Sequence, residues 1–403
     1  MEINSSKSWR AVSLLALVIM AVIVVIAAAT GYWFLTALPI GFLFGFFLEK
    51  ADLCGSSAFS EALMFKDWRK IQGLWVLIVV SMVGFAVLSM MGLVKLSPKP
   101  LEWATHLVGG LVFGAGMVLA GGCISGVLYK SGAGNLNSMA ALVGIPLGVG
   151  MVEYGPLHGF YQFLKQYVIK SHDGGPVTLS SLTGLPFGIL AVLFAALTAG
   201  FSYWLIKKKP VAKSSPANVD APGSGVLSRI ATRPWKPWQA GIAIGILAWF
   251  GYMSRAASGT NYPLGVTHGV LHVQLLLTDY PLKIVTAPAP STPAPPSEGS
   301  PAPAKKVSLW LILEVIALVI GSHISARMTG RFKLLPKPPD ETIIAFLGGI
   351  LTGAGAGIAG YCVVGGIMSG WALMSVASFI FGAATLAANW GMTYLYLMGG
   401  QSK

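Results

Sequence analysis

Long apolar runs separated by short polar segments dominate the chain. Ten runs occur, at 11–30, 32–49, 71–94, 104–122, 138–158, 182–206, 238–254, 307–323, 342–361 and 372–398. A transmembrane helix needs about 20 mostly apolar residues, whereas a β-barrel shows short alternating segments. The pattern therefore predicts an all-α polytopic membrane protein with about ten transmembrane segments. The first run is longer than the apolar core of a signal peptide, which favours an uncleaved, extra N-terminal transmembrane helix at 1–31.

Composition agrees with a membrane protein. Of the 403 residues, 55% are apolar and only 10% are charged, and the mean hydropathy is +0.72. Soluble globular chains carry about 25% charged residues, so an ordinary cytosolic enzyme, a disordered chain and a nucleic-acid binder are excluded. The net charge of +13 comes from Lys and Arg clustered in short loops, as membrane topology requires.

Basic loops set the expected orientation. Cytoplasmic loops of membrane proteins are rich in Lys and Arg, and three segments fit: 66–70, 207–239 and 327–337. If each apolar run crosses the membrane once, all three segments fall on the same side. This count of about ten crossings places both termini in the cytoplasm. The segment 288–303 holds seven prolines in sixteen residues, a composition typical of an extended tether. It then falls on the external face, within an expected loop at 285–305.

An internal repeat contains two of the three cysteines. Residues 107–126 align with 346–365 at an offset of 239, and nine of the twenty positions are identical, including Cys123 with Cys362. A weaker match at an offset of 200 pairs Gly41 and Gly45 with Gly241 and Gly245, and Cys54 with Ser254. Ser254 is therefore expected to replace a fourth cysteine.

These matches predict two halves, a first repeat half at 32–206 and a second at 238–403, joined by a basic cytoplasmic linker at 207–237. In the expected topology the first half begins outside and the second inside, so the repeats are inverted. Inverted repeats with broken helices are typical of transporters, whose substrate site lies at the repeat interface near the bilayer midplane. Glycines that only permit close helix packing are the alternative, but they leave the matched cysteines unexplained.

The Gly-rich motifs suit an anion pathway. Each predicts a helix end followed by a short half-helix, whose free N–H groups and positive dipole end favour anions. A thiol adds a weak S–H donor and a polarizable sulfur, which can contact a soft sulfur-bearing anion and release it again. Arg255 ends an apolar run, where a charge is costly and often functional. The candidate pathway residues are Cys54, Cys123, Cys362, Gly121, Gly122, Gly126, Gly360, Gly365, Ser254 and Arg255.

Other chemistries have weaker support. His268 and His272 are spaced as two ligands on one helix face, but zinc sites use three or four protein ligands, so we expect no metal and no cofactor. No His accompanies Cys123 or Cys362 in sequence, which argues against an activated thiolate and an enzyme. Glu314 lies within an apolar run, where a buried carboxylate could relay protons; it would also oppose an anion, so it is not included in the pathway.

The motifs resemble those of a known family. Residues 119–126, Leu-Ala-Gly-Gly-Cys-Ile-Ser-Gly, and 360–365, Gly-Tyr-Cys-Val-Val-Gly, are similar to motifs of the YeeE/YedE family of bacterial inner-membrane sulfur transporters. The stretch 263–267 also resembles the second half of that family, and the likeness runs from about residue 32 to 398. The first cysteine motif, around Cys54, matches more loosely.

The resemblance implies an hourglass-shaped, all-helical, multi-pass protein of the bacterial inner membrane that takes up thiosulfate. In that family three cysteines line the route, and these map to Cys54, Cys123 and Cys362. It also implies a possible cytosolic sulfur-carrier partner of the TusA type, whereas the composition already excludes a nucleic-acid partner. Two alternatives stay open: transport of a selenium compound, and a membrane thiol protein that passes sulfur to a carrier. A structural scaffold for the cytoplasmic loop is a third.

Overall fold

Ten apolar helices account for the ten apolar runs. The computed structural model describes residues 5–171, 174–208, 233–278, 282–285, 305–334 and 338–399. Within these residues, eight helices or broken helices are long and apolar enough to cross a membrane, and two shorter apolar helices cover Val18–Thr30 and Phe187–Gly200. The prediction of an all-α polytopic membrane protein is therefore confirmed, with eight candidate spans among the described residues where about ten were expected. The centre of the linker, at 209–232, and the Pro-rich segment lie outside the described residues.

The first part of the chain forms ten helices. A short 3₁₀-helix at Trp33–Thr36 precedes the second of them, and a two-residue antiparallel pairing joins β1 (Leu101–Glu102) to β2 (Val168–Ile169). The helices are α1 (Ser5–Thr30), α2 (Ala37–Ala51), α3 (Gly55–Met64), α4 (Arg69–Met90), α5 (Trp103–Leu119), α6 (Ile124–Gly132), α7 (Leu136–Glu153), α8 (His158–Lys165), α9 (Leu179–Thr183) and α10 (Phe187–Lys208).

The second part contains five α-helices and two π-helices. A parallel pair, β3 (Leu282–Val285) and β4 (Lys305–Ser308), flanks the Pro-rich segment. The helices are α11 (Pro237–Ala257), α12 (Thr267–Thr278), α13 (Leu309–Thr329), α14 (Pro339–Ala359), the π-helix Val363–Gly370, α15 (Val376–Met392) and the π-helix Thr393–Met398.

The same order of elements occurs twice. In α2 to α7, a long helix breaks and continues as a short one, two long helices follow, and the second of these breaks before a short helix and a final long helix. The series from α11 to α15 repeats this order, with the π-helix Val363–Gly370 in place of α6. The two series pack reciprocally: α2 contacts α13 as α11 contacts α4, and α7 contacts α14 as α15 contacts α5.

Glycines allow these close helix contacts. A Cβ at Gly45 of α2 would collide with the backbone of Leu318 on α13, and a Cβ at Gly245 of α11 would lie 2.8 Å from Val80 on α4. Gly45 and Gly245 are the pair that the offset of 200 aligns. Small residues let helix backbones approach in a membrane. The repeated glycines therefore serve helix packing as well as the helix breaks.

The three basic segments lie together around the end of α2. Lys70 forms an ion pair with Asp52 at 2.7 Å, the backbone N–H of Trp235 donates to the Lys50 carbonyl at 3.0 Å, and Arg331 donates to the Glu49 carbonyl at 3.2 Å. These contacts put the three predicted cytoplasmic segments on one side of the molecule. That arrangement agrees with the topology expected from the positive-inside rule.

Candidate functional site

Each cysteine occupies the same structural position at a helix break. Cys54 is the N-cap of α3, Cys123 the N-cap of α6 and Cys362 the N-cap of the π-helix Val363–Gly370. All three are free thiols with no solvent exposure. Since the first N–H groups of a helix lack intrahelical partners, each thiol lies beside unpaired donors and a positive helix end. The helix ends expected at the Gly-rich motifs 120–126 and 360–366 are confirmed, since α5 ends at Leu119 and α14 at Ala359.

Left-handed residues produce the breaks. Asp52, Gly121 and Gly360 have φ of +49°, +70° and +73°, and each precedes its cysteine by two residues. A Cβ at Gly121 would meet nothing within 4 Å, so the positive φ, rather than space, accounts for this glycine. Gly121 and Gly360 are aligned by the offset of 239, and the structure gives them the same conformation.

Two of the thiols are in contact. Cys54 Sγ lies 3.6 Å from Cys123 Sγ, and Cys123 Sγ lies 3.4 Å from the Ser125 hydroxyl. The sulfurs are separated by more than a disulfide bond of about 2.05 Å. A Cβ at Gly126 would collide with Cys54 Sγ, so the absence of a side chain there leaves room for the pair.

The third thiol approaches from the second repeat. A Cβ at Gly55, next to Cys54, would lie 2.8 Å from a methyl carbon of Val363, next to Cys362. Helix α6, which Cys123 caps, also contacts the π-helix Val363–Gly370. The N-termini of three short helices therefore meet, and they bring together cysteines that are 69 and 239 residues apart in sequence.

Cations flank this centre on the side of the basic segments. Lys130 donates to the Gly121 carbonyl at 2.6 Å, and Tyr129 donates to Asp52 at 2.7 Å. Lys130, Arg331 and Lys333 line a cavity of about 280 Å³. This cavity therefore contains three positive side chains.

A second cationic cluster adjoins the Cys362 motif. Lys99 donates to the Gly360 carbonyl, and its ammonium lies 4.6 Å from the centre of the Tyr361 ring. Burial, followed by the positive charge of Arg255, lowers the pKa of the Lys99 amine to about 8. Lys99 precedes α5, at the end of α4 opposite Lys70, so this cluster lies on the far side from the first.

Arg255 joins this second cluster. Its Nη1 donates to the Pro263 carbonyl at 2.6 Å, and its guanidinium lies 5.8 Å from the centre of the Tyr262 ring. The Tyr262 hydroxyl donates to the Gly365 carbonyl at 2.7 Å. Arg255, Gly360 and Gly365, all sequence candidates, thus lie together near Cys362.

Ser254 does not occupy the place of a fourth cysteine. It lies inside α11, where its hydroxyl bonds Thr36 and accepts from Trp310 Nε1 at 2.8 Å, whereas Cys54 caps a short helix. The break in the second repeat comes later, at 258–266, so Val266 is the residue before α12. The aligned glycines lie at matching positions in α2 and α11. Because α11 is longer than α2, Ser254 still lies inside its helix, whereas Cys54 lies after the end of α2.

Sequence reasoning missed Lys99, Lys130 and Tyr262. Each acts through a backbone carbonyl or ring brought near by the fold, and no local spacing marks such contacts. His268 pairs with Glu153 at 3.1 Å, and His272 accepts from the Ser308 N–H at 3.3 Å. Among the described residues, no group of three His, Cys, Asp or Glu side chains could hold a metal ion.

The fold and the site define a class of protein. A multi-pass bundle of apolar helices, with broken helices whose N-termini meet at a buried centre, is the architecture of a membrane transporter. The sequence profile of the sulphur transport family matches residues 50–391. The chain belongs to this family, and the resemblance to YeeE/YedE proteins is confirmed.

Curated relatives cover nearly the whole chain. The thiosulfate transporter TsuA of Spirochaeta thermophila is 30% identical over 89% of this chain and 98% of its own. The Escherichia coli protein of the same name is 25% identical over 92% and 96%. A probable transporter, YedE of Escherichia coli, is 30% identical over 29% of each chain.

Proposed function

We propose that this chain takes up thiosulfate through a pathway lined by Cys54, Cys123 and Cys362. The observation that carries the proposal is the contact of Cys54 and Cys123, 3.6 Å apart, at two helix N-termini. The names of the TsuA relatives supply the substrate. Gly121, Gly122, Gly126, Gly360 and Gly365 would form the backbone of this pathway.

The chemistry of thiosulfate suits the three thiols. The anion has a terminal sulfur and three oxygens, and thiols are soft, weak hydrogen-bond donors. Contacts of this strength allow binding without trapping, which transport through successive sites requires. The free N–H groups of the three short helices would stabilise the oxyanion end.

Cations on both sides would concentrate the anion. We propose that Lys99 and Arg255 attract thiosulfate from outside, and that the cavity of Lys130, Arg331 and Lys333 receives it on the cytoplasmic side. Clefts lined by charge of one sign raise the local concentration of opposite charge. Ser254 would contribute indirectly, by holding Trp310, whose ring lies 5.5 Å from the Arg255 guanidinium.

We further propose the membrane, the topology and the partner of this transporter. The chain would lie in a bacterial inner membrane with both termini in the cytoplasm, as an N-terminal helix (1–31), inverted repeat halves (32–206 and 238–403) and a cytoplasmic linker (207–237). The end of α2 lies beside the start of α11, where the Trp235 N–H donates to the Lys50 carbonyl, and this opposite direction of two matched helices supports the inversion. A TusA-like sulfur carrier would take the product on the cytoplasmic side. The protein would carry out no covalent chemistry.

Two alternatives make different predictions. A selenium oxyanion would compete with thiosulfate for uptake, because the same soft contacts suit it. A protein that passes sulfur to a carrier covalently would leave a persulfide on Cys123. Covalent chemistry needs a base or cation beside the thiol, whereas the Cys123 thiol hydrogen-bonds with Cys54 and Ser125 among the described residues.

The test is uptake of radiolabelled thiosulfate into cells that lack other sulfate and thiosulfate transporters. We expect uptake by the wild type and its loss in Cys123→Ala at equal expression, because the central thiol is removed while the fold keeps a small apolar residue. Normal uptake by the variant would contradict the cysteine pathway. No uptake by the wild type would contradict the assignment of thiosulfate.

A further inference from the structure

Glu314 is a buried carboxylate that the proposed pathway does not use. It lies in the second turn of α13 with no solvent exposure. Neither carboxylate oxygen has a hydrogen-bond partner among the described residues. An ionised carboxylate without a partner is costly to bury in an apolar interior. Without a positive charge nearby, these surroundings favour the neutral, protonated acid.

Arg255 connects this carboxylate to the pathway. Trp310 precedes Glu314 by four residues, so both lie on one face of α13, and the Trp310 ring lies 5.5 Å from the Arg255 guanidinium. Trp310 thus places the positive charge of Arg255 beside this face of α13. Arg255 is itself buried, and its Nε has no hydrogen-bond partner among the described residues.

Other titratable groups around α13 are occupied elsewhere. Glu49 accepts from Ser325 near the far end of α13, and Tyr129 donates to Asp52. His272 accepts from the Ser308 N–H at the start of α13. The remaining charged or titratable groups on α13 and the elements packed against it are Lys50 on α2, Lys130 on α6, His268 on α12, and His323 and Arg327 on α13 itself.

We propose that Glu314 is a proton-binding site that couples proton entry to anion entry. With Arg255 unoccupied, its positive charge stabilises an ionised Glu314. An anion bound at Arg255 cancels that charge, and Glu314 then takes up a proton from the external side. The anion and the proton enter together, and the proton leaves to the cytoplasm once the anion has moved on.

Thermodynamic linkage makes the coupling reciprocal. If the anion favours protonation of Glu314, the protonated acid favours the anion by the same factor. A proton also offsets part of the negative charge that the membrane potential opposes. The proposal rests on thiosulfate uptake as the function, and it supplies that uptake with a driving force.

Calorimetry on the purified full-length protein tests the binding step. Thiosulfate is titrated at pH 8.5 in buffers of different ionisation enthalpy, and the dependence of heat on buffer gives the protons taken up. At this pH Lys99, whose pKa is about 8, would itself take up protons, so all the proteins compared carry Lys99→Arg, which keeps the positive charge. We expect proton uptake by the wild type and by Glu314→Asp, and its loss in Glu314→Gln, which resembles the neutral acid.

Glu341→Gln is the matched control, because Glu341 is exposed at the start of α14 and accepts from Asn137. It should take up protons like the wild type. Thiosulfate binding by the wild type without proton uptake would overturn the proposal, as would full proton uptake by Glu314→Gln. Proton uptake by the wild type therefore tests the coupling even if Glu314→Gln does not fold.

Proteoliposomes test the transport step and separate the two proposals. With the membrane potential held at zero, external thiosulfate should acidify the lumen containing wild-type protein, and Glu314→Gln should lose this acidification. Thiosulfate entry by the wild type without acidification would overturn proton coupling and leave the proposed function intact. Absence of thiosulfate entry by the wild type would instead contradict the proposed function.

Discussion

Gly126 leaves the space in which Cys54 and Cys123 meet. Its Cβ would collide with Cys54 Sγ and lie 3.6 Å from Cys123 Sγ. We expect Gly126→Ala to displace the thiol and slow thiosulfate uptake by roughly tenfold, a barrier increase of about 1.4 kcal/mol. Uptake at matched expression is the measurement.

Gly391→Ala is the control for Gly126→Ala. Gly391 lies in the helix α15, and its Cβ would meet nothing within 4 Å. Alanine favours a helix over glycine by about 1 kcal/mol at both positions, so a loss of uptake confined to Gly126→Ala comes from the thiol. Uptake by Gly126→Ala at the wild-type rate would show that thiosulfate transport does not depend on the position of the Cys54 thiol.

The lowered pKa of Lys99 predicts a pH dependence for the proposed capture of thiosulfate on the external side. Its lowered pKa of about 8 means that the amine is charged below pH 8 and neutral above it. We therefore expect the apparent KM for thiosulfate to rise as the external pH passes from 7 to 9. Initial uptake rates against thiosulfate concentration measure this.

Lys99→Arg keeps the charge at all these pH values, so the rise in KM between pH 7 and 9 should become smaller. Lys99→Met should have a high KM already at pH 7. An identical pH profile for the wild type and Lys99→Met would contradict a role for this charge.

Residues with chemistry of their own were visible in the sequence, and residues that act through the fold were not. Cys123 and Cys362 were found because a rare residue recurs in a repeat. Lys99 was not found, because its partner Gly360 lies 261 residues away and no periodicity joins them.

Glycines allow close helix contacts at equivalent places in the two repeats, so substitutions there should destabilise the protein. A Cβ at Gly353 of α14 would collide with the Ile145 carbonyl on α7, and a Cβ at Gly114 of α5 would collide with the Thr385 carbonyl on α15. We expect Gly353→Ala and Gly114→Ala each to cost about 1–3 kcal/mol, the usual penalty of overpacking. Thermal unfolding of purified protein in detergent measures both.

The two substitutions lie at equivalent positions of the repeat. Gly114 and Gly353 are aligned by the offset of 239, so a repeated fold should lose similar stability at each. Gly391→Ala serves again as the control. A variant at either position with the Tm of the wild type would contradict the close reciprocal packing.

Helix breaks were predictable where a glycine must adopt positive φ. The motifs at 120–126 and 360–366 located the ends of α5 and α14 correctly. The weak match at offset 200 failed locally at Ser254, because α11 has 21 residues and α2 has 15. Helix length depends on packing across the molecule, which a gapless alignment does not contain.

The whole molecule places three thiols between two separate groups of cations. Lys99 and Arg255 lie near Cys362, while Lys130, Arg331 and Lys333 lie beyond Cys54 and Cys123. Hydropathy predicted the spans, and the basic loops predicted which segments share a side. The meeting of the helix N-termini depends on contacts between the repeats, which the sequence shows only as matched glycines.

Selectivity between two sulfur dianions tests the central claim most directly. Sulfate and thiosulfate carry the same charge, but only thiosulfate has a terminal sulfur to contact Cys54, Cys123 and Cys362. Purified wild-type protein in liposomes should take up labelled thiosulfate and exclude labelled sulfate, and excess sulfate should not compete. Equal entry of both anions would contradict recognition by the thiols, since positive charge alone would then explain passage.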